Sequence, residues 1–478
     1  MILTNRTFLF AQCGYLLLVF MALLIMPGAS VVSTLLAMFG VWIVVSIVYN
    51  STPWKNSVGW WTLLIVLTML SIGVVANVHY FTIYSGGTTQ LPELHNPDAF
   101  RFYYDALYTI GHSAGVATDV KNHGYGLLIS WLWSITGVTI VAPIVLNMLF
   151  VLIGIVLCGG IAYRVLRGQT PRSDSWIATC AMIMASSVCY FLNSGTLLLK
   201  EAGLIFSFSL IAYVIVSISE SDVANFRIIK LLLLFFVATI LLTILRFNFL
   251  IMVVVGVVMM TKWKKRNMEL CCMLVAICVC CWLGESLFLY NDYSRMPEVA
   301  TQIMGGKGLD GAFFVGNEDH QSYNLIVDGY FGYPWWKKVI LLPMTAAVQY
   351  LIPLPWGFCD DIHFGYTLAY AHISYPWYVI GGLILYFVAF EMHRASIRFQ
   401  RIVEWGGLMW LVPAFLFAGT VSRYTLPILP LIIPAAVYVV AKWHELNKLK
   451  LKVWCWGYGV ILVVGLLSGY LVQKGVLS

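Results

Sequence analysis

A polar stretch, His95 to Asp105, interrupts a sequence that is otherwise strongly apolar. It reads HNPDAFRFYYD and contains Asp98 and Asp105, which lie about two helical turns apart and would share one face of a helix. A carboxylate held beside a hydroxyl group can take its proton. Asp98 is therefore the first candidate for a general base, and Asp105 the second. A plainer interpretation stays open, in which Asn96 caps a surface helix that begins at Pro97.

A second polar group is the pair Lys200 and Glu201, which stands between two apolar runs. Charges near a membrane boundary are costly, so they tend to be paired or functional. The pair is a candidate for substrate binding. The alternative is a lysine that extends to the membrane surface beside the start of a helix.

Arginines supply the remaining candidates. Arg423 and Tyr424 lie in the segment SRYTLPILP, just before an apolar run, while Arg246 follows another such run and Arg101 lies in the polar stretch. A guanidinium can bind a phosphate or carboxylate through two parallel hydrogen bonds. We therefore predict substrate-binding roles for these residues, and simple anchoring at the membrane interface stays open for Arg423 and Arg246.

The composition indicates a membrane protein. Hydrophobic residues make up 61% of the chain, charged residues only 10%, and the mean hydropathy is +0.87. A soluble domain would carry roughly 25% charged residues. The apolar runs are continuous and long enough to cross a bilayer, which favours helices over strands. The predicted fold is an all-α polytopic membrane protein, a single transmembrane domain over residues 1–478 with about 13 spans. The predicted spans are 8–26, 31–49, 59–81, 142–163, 176–193, 200–218, 228–245, 247–262, 268–290, 376–391, 404–420, 424–442 and 454–472.

The net charge of +7 comes from Lys and Arg clusters between the spans. Such clusters mark cytosolic loops, so the charge does not indicate a nucleic acid partner. With the clusters inside, the N-terminus is cytosolic and the loops 82–124 and 291–336 lie outside, as do all the candidate residues. Residues 125–139 are predicted as an amphipathic or re-entrant helix at the outer interface. The clusters are Arg164, Arg167 and Arg172; Lys262, Lys264, Lys265 and Arg266; Arg394, Arg398 and Arg401; and Lys442, Lys448, Lys450 and Lys452.

Residues 338–356 do not fit this alternation. They are apolar enough to span, yet a full crossing would place the Arg394 cluster outside. Pro343, Pro353 and Pro355 indicate a broken, re-entrant or interfacial segment instead. The alternative is that the predicted span 247–262, or its neighbour, is wrong.

Four motifs in order resemble the GT-C superfamily of integral-membrane glycosyltransferases, and most closely its bacterial protein mannosyltransferase and aminoarabinose transferase members. They are PDAFRFYYDA, HGYGLLISWLWSITG, SGTLLLKEAGLIF and SRYTLPILP, and the resemblance covers roughly residues 60–435. Two features depart from the family pattern. Ala99 follows Asp98 where many members have a second carboxylate, and Gly124-Tyr125-Gly126 replaces prolines.

The resemblance implies transfer of a sugar from a polyprenyl-phosphate carrier to a glycan, lipid or protein acceptor, outside a bacterial inner membrane. Asp98 would act as the base in a direct displacement with inversion. Arg423, with Lys200 or Arg246, would stabilise the departing lipid phosphate. Glu201 would orient a sugar hydroxyl or hold Lys200. The glycine-containing loop 291–336 could close over the acceptor as a lid. The residues assign no metal ligand and no certain cofactor, and a divalent metal ion stays open.

Two alternatives remain. A polymerase or ligase of lipid-linked surface polysaccharide also works outside the membrane, but its catalytic residues would lie in later loops. A transporter or flippase of a lipid-linked substrate would show two similar halves, and the sequence shows no such duplication.

Overall fold

The computed structural model of the chain describes residues 14, 31–84, 102–103, 105–107, 109–110, 123–188, 194–219, 225–246, 249–260, 265–288, 330, 333–351, 364–417 and 422–473. Over these ranges the chain is helical apart from turns, and contains no strand. It forms two compact units, Met1–Trp282 and Leu283–Ser478. That the units make one transmembrane domain stays a prediction.

Both units consist of helices in their described parts. In the described part of the first unit they are α1 (Val31–Asn50), α2 (Ser57–Tyr84), α3 (His123–Thr136), α4 (Val141–Leu166), α5 (Asp174–Ser187), α6 (Glu201–Ile218), α7 (Asn225–Arg246), α8 (Phe249–Met260) and α9 (Lys265–Phe288), the last of which crosses the boundary between units. The second unit contains α10 (Trp335–Leu351), α11 (Phe364–Tyr386), α12 (Ile397–Phe417), a 3-10 helix (Ser422–Ile428), α13 (Leu429–Ala441) and α14 (Lys448–Gln473).

These helices confirm the predicted all-helical fold. Every predicted span except 8–26 coincides with a helix in whole or in part, and 8–26 lies outside the described residues apart from residue 14. Six helical stretches in the described ranges are long and apolar enough to cross a membrane: Ser57–Val74, Val141–Leu166, Glu201–Ile218, Ile228–Arg246, Tyr375–Arg394 and Lys448–Leu471. The total of about 13 spans stays a prediction.

Helices α4 and α6 form the centre of the first unit and run parallel. Gly154 of α4 faces Ile205 of α6, and further along the Arg164 guanidinium donates to the Tyr213 hydroxyl at 3.1 Å. The starts of both helices therefore lie at the same end of the unit. Glycines let apolar helices approach closely, and a side chain at Gly160 would meet the Trp54 and Tyr213 rings at 2.8 and 3.0 Å.

The other end of the first unit is rich in cations. The Asn56 amide in the α1–α2 turn donates to the Ser175 carbonyl oxygen at 3.0 Å and the Thr179 hydroxyl at 2.7 Å, which fastens this turn to α5. Arg167 and Asp174 form an exposed ion pair of 3.5 Å beside it. We term this the basic end, after its cations Lys55, Arg164, Arg167 and Arg172.

In the second unit α12 packs against α10 and α13, and α11 packs against α13. Helix α14 attaches through Tyr458, whose hydroxyl donates to the Tyr378 carbonyl oxygen at 2.6 Å. Within the segment predicted to be broken, α10 is one continuous helix that includes Pro343. Pro353 and Pro355 lie outside the described residues, so the re-entrant or interfacial character of 338–356 stays a prediction.

Replacing Asn56 with alanine should loosen the basic end. The variant loses both amide hydrogen bonds and the acceptor for the Gly59 backbone N–H. We expect Asn56→Ala to lower the free energy of unfolding by about 1–3 kcal/mol, seen as a lower melting temperature of the purified protein in detergent. The exposed Ser51, on the same turn, provides the control Ser51→Ala, and equal melting temperatures for the two variants would contradict the assignment.

Candidate functional site

The structure brings some of the predicted site residues together and leaves others outside its described ranges. Asp105, Lys200, Glu201 and Arg246 all belong to the first unit. Asp98 and Arg101 lie outside the described residues, as does nearly all of the loop 291–336. Arg423 and Tyr424 have backbone positions in the 3-10 helix of the second unit, and their side chains are outside the described part of the chain.

Asp105 lies on a short helical segment that packs against α3. Phe102 of this segment meets the Tyr125 ring edge-on at 4.9 Å, and Tyr103 meets the Trp133 ring at 5.3 Å. These contacts bury the segment, and Asp105 is only 3% exposed. The aromatic residues of the polar stretch thus hold it in place, and its acidic residue is directed into the protein.

Two glycines let α3 approach its neighbours. A Cβ atom at Gly126 would lie 2.8 Å from the Asp105 Cβ, closer than side chains tolerate. A Cβ atom at Gly124 would overlap the carbonyl oxygen of Ile244 near the end of α7. Glycine is therefore required at both positions by close contact.

Asn147 joins three segments at the start of α4. Its side chain is fully buried, and its amide nitrogen donates to the carbonyl oxygens of Leu197 and Leu199 at 2.8 and 3.0 Å. Its Oδ1 accepts a hydrogen bond from the Tyr125 hydroxyl at 3.1 Å. One carboxamide therefore connects α4, α3 and the turn that precedes α6.

Lys200 and Glu201 follow directly from this turn. Both are buried, Glu201 to 2% exposure, and the Lys200 ammonium lies 5.5 Å from the centre of the Phe102 ring. Glu201 is in the first turn of α6, where the helix dipole stabilises its negative charge. Burial raises the pKa of Tyr125, the hydrogen bond with Asn147 opposes this shift, and the Glu201 charge raises the pKa further. The Tyr125 hydroxyl is a hydrogen-bond donor to Asn147.

Arg246 is the last residue of α7, and that helix ends beside the same group. Leu245 packs onto Gly203 of α6. A Cβ atom at Gly203 would lie 2.5 Å from a methyl carbon of Leu245. The preceding Ile244 contacts Gly124, as described above. The end of α7 therefore meets the starts of α3 and α6, and carries a half-buried arginine there.

We term this group the polar end of the first unit, opposite its basic end. It consists of Asp105, Tyr125, Asn147, Lys200 and Glu201, with Arg246 at its edge. The group contains two acidic residues, Asp105 and Glu201, and two basic residues, Lys200 and Arg246. Because these residues are buried or half-buried, water screens their electrostatic interactions only weakly. Such an arrangement can hold a phosphate and orient hydroxyl groups. Within the described ranges, no group of three or more His, Cys, Asp or Glu residues could hold a metal ion.

Sequence reasoning missed two members of this group, Tyr125 and Asn147, and also Phe102, whose ring contacts Tyr125 and Lys200. A signal for Asn147 existed, because it is an amide in the apolar run VAPIVLNMLFVLIGIVL, where a polar side chain needs a partner. No comparable signal marks Phe102 or Tyr125, because aromatic residues are common throughout the chain.

No protein-family model matches this chain, and neither does any curated protein or solved structure. The resemblance to the GT-C superfamily therefore depends on the four sequence motifs alone.

A methyl group at Gly124 should separate α3 from α7. The Ile244 carbonyl is part of the helix backbone and cannot move aside as a side chain can. We expect Gly124→Ala to destabilise the protein by about 1–3 kcal/mol, typical of overpacking, measured as a drop in melting temperature. Gly40 of α1 has open space around it, so Gly40→Ala should leave stability unchanged or improve it. Equal behaviour of the two variants would refute the close contact.

Replacing Asn147 with leucine should detach the turn that carries Lys200. The carbonyl oxygens of Leu197 and Leu199 would lose their donor, at about 1–3 kcal/mol for each buried group left unsatisfied. Tyr125→Phe removes only the hydroxyl bond and should cost less. Thermal unfolding of both variants tests this order, and a larger loss for Tyr125→Phe would show that the carboxamide does not hold the turn.

Proposed function

We propose that this protein is a membrane glycosyltransferase of the GT-C type, which moves a sugar from a polyprenyl-phosphate carrier to an acceptor outside the cytosol. The observation that supports this most is the buried polar end, where Lys200, Glu201 and Asp105 lie among apolar helices. Each charged residue is costly to remove from water, and charged residues buried among apolar helices are often part of a functional site.

The position of the polar end supports an extracytoplasmic reaction. It lies at the opposite end of the parallel helices α4 and α6 from Arg164, Arg167 and Arg172. Basic residues at the ends of spans favour the cytosolic side. The polar end would then face outward, on the side where the glycan carried by a polyprenyl lipid is used.

The cations suit the leaving group of this reaction. When the bond between the anomeric carbon and the lipid phosphate breaks, negative charge develops on the phosphate oxygen. Lys200 and Arg246 would stabilise that charge, and the surrounding apolar helices would strengthen their effect. Glu201, beside Lys200, would keep the ammonium in position or accept a hydrogen bond from a sugar hydroxyl.

We assign the deprotonation of the acceptor hydroxyl to Asp98. It would take the proton of the acceptor hydroxyl as the acceptor oxygen forms its bond to the anomeric carbon, which inverts. Asp105 is packed against Gly126 and almost fully buried. This burial favours a positioning role for Asp105 and leaves Asp98 as the base.

Surface-glycan mass spectrometry of cells that lack the protein tests the proposal. Wild type should restore a single missing sugar, whereas Asp98→Asn should not, because loss of a general base slows transfer by about 10²–10⁴-fold. Lys200→Met should also fail to restore it. Asp174 is an exposed acid at the basic end, so Asp174→Asn is the matched control and should complement fully. Immunoblotting of membranes checks that all variants are expressed equally.

Other outcomes would decide against the proposal. Shorter glycan chains with every repeat unit intact would indicate the polymerase or ligase. An unchanged glycan with accumulated lipid-linked precursor on the cytosolic side would indicate a flippase. Full complementation by Asp98→Asn would remove the proposed base and with it the mechanism.

A further inference from the structure

Helix α10 in the second unit has its polar and apolar faces reversed relative to a helix of a soluble protein. Its buried residues are all polar: Lys338, Thr345 and Gln349. Its exposed residues include large apolar side chains, namely Trp335, Trp336, Val339, Ile340 and Met344. A surface helix in water places its apolar face inward. The outer face of α10 therefore suits contact with lipid, and its inner face forms a polar lining.

Lys338 is the most unusual member of this lining. It is 1% exposed, and its ammonium lies 5.5 Å from the centre of the Tyr330 ring. Among the described residues no carboxylate pairs with it, and the facing part of α12, residues 405–417, contains no acidic residue. An aromatic face compensates only part of the cost of removing an ammonium from water.

Hydrogen-bonding groups lie along the same face. The Tyr330 hydroxyl donates to the Phe415 carbonyl oxygen at 2.8 Å and lies within reach of the Thr345 hydroxyl. The Gln349 amide nitrogen donates to the Trp410 carbonyl oxygen at 2.7 Å. The other atom of that carboxamide, Oε1, is buried and accepts no hydrogen bond from any described residue. The lining therefore offers a cation at one end and a hydrogen-bond acceptor about 16 Å along the helix axis.

We propose that the inner face of α10 is a binding site for a phosphate group, held by Lys338. Lysine binds phosphate as a point charge, and an anion there would complete the electrostatics of a buried ammonium. A free phosphate and a phosphate carried by a lipid present the same chemistry to Lys338, and the experiment below distinguishes them.

Direct binding to the purified full-length protein in zwitterionic nanodiscs tests the site. The probes are undecaprenyl phosphate, the uncharged undecaprenol with the same tail, and inorganic phosphate, measured by native mass spectrometry and by isothermal titration calorimetry. We expect the wild type to bind undecaprenyl phosphate and not undecaprenol. Lys338→Met should weaken that binding about 30-fold or more, as expected for loss of a buried charge partner, and Lys338→Arg should recover part of it.

The neighbouring lysine provides a matched control. Lys337 is exposed and packs on the rings of Tyr333 and Trp336, so Lys337→Met should keep the wild-type affinity. Lys338→Met should not lower the melting temperature of the ligand-free protein, because it removes a buried charge. Binding of inorganic phosphate as tight as that of the lipid would identify free phosphate as the ligand. Equal affinities of Lys338→Met and wild type, or no binding of either phosphate, would overturn the proposal.

This test is independent of the proposed transferase activity, because it measures binding and needs no sugar transfer. A protein that binds undecaprenyl phosphate through Lys338 yet restores no sugar in cells would retain the site and refute the transferase. If the protein restores the sugar in cells but its Lys338→Met variant binds undecaprenyl phosphate normally, the transferase proposal would stand and the Lys338 site would be refuted.

Discussion

Inside an apolar surrounding, every polar backbone group that a helix does not satisfy needs another partner from the protein. The turn before α6 has such groups, the carbonyl oxygens of Leu197 and Leu199, and Asn147 supplies the donors. Because Lys200 and Glu201 follow this turn, their positions depend on that carboxamide. Tyr125 hydrogen-bonds the same side chain, so α3 depends on it as well. The uncharged side chain of Asn147 therefore connects the segments that carry the charged residues of the polar end.

Close backbone approach is the second condition, and it acts on the same helices. Gly124 allows α3 to touch the backbone of α7, Gly126 allows Asp105 to lie against α3, and Gly203 receives Leu245. Apolar helices in lipid gain little from the hydrophobic effect between themselves, so contact area has to come from small residues. The charged residues of the polar end therefore lie on the segments that these three glycines bring into close contact. A Cβ atom at position 126 would lie 2.8 Å from the Cβ atom of Asp105, so this packing requires glycine there.

Sequence alone predicted the helices because continuous apolar runs have one structural solution in lipid. It also predicted that Asp105, Lys200 and Arg246 belong together, since charged residues are rare enough in this chain to be informative. It could not predict the packing partners of Lys200. Phe102 and Tyr125 are aromatic residues in a chain rich in them, and the parallel arrangement of α4 and α6 is a property of the fold that no local pattern encodes. Asn147 could have been found, but hydropathy averaged over a whole span conceals one amide.

Helix α10 shows a more general limit. A periodic pattern tells which residues share a helix face, but in a membrane protein it does not tell which face is inside, because lipid and protein interior are equally apolar. The prolines of residues 338–356 indicate where a helix could bend, but they do not indicate which of its faces is buried. In the sequence Lys338 is only a lysine near the start of a helix. The structure places the polar face of α10 in the interior, so Lys338 is a buried cation. The same sequence pattern on a soluble protein would place that lysine in water, where an ammonium is cheaply solvated and has no need of an anion.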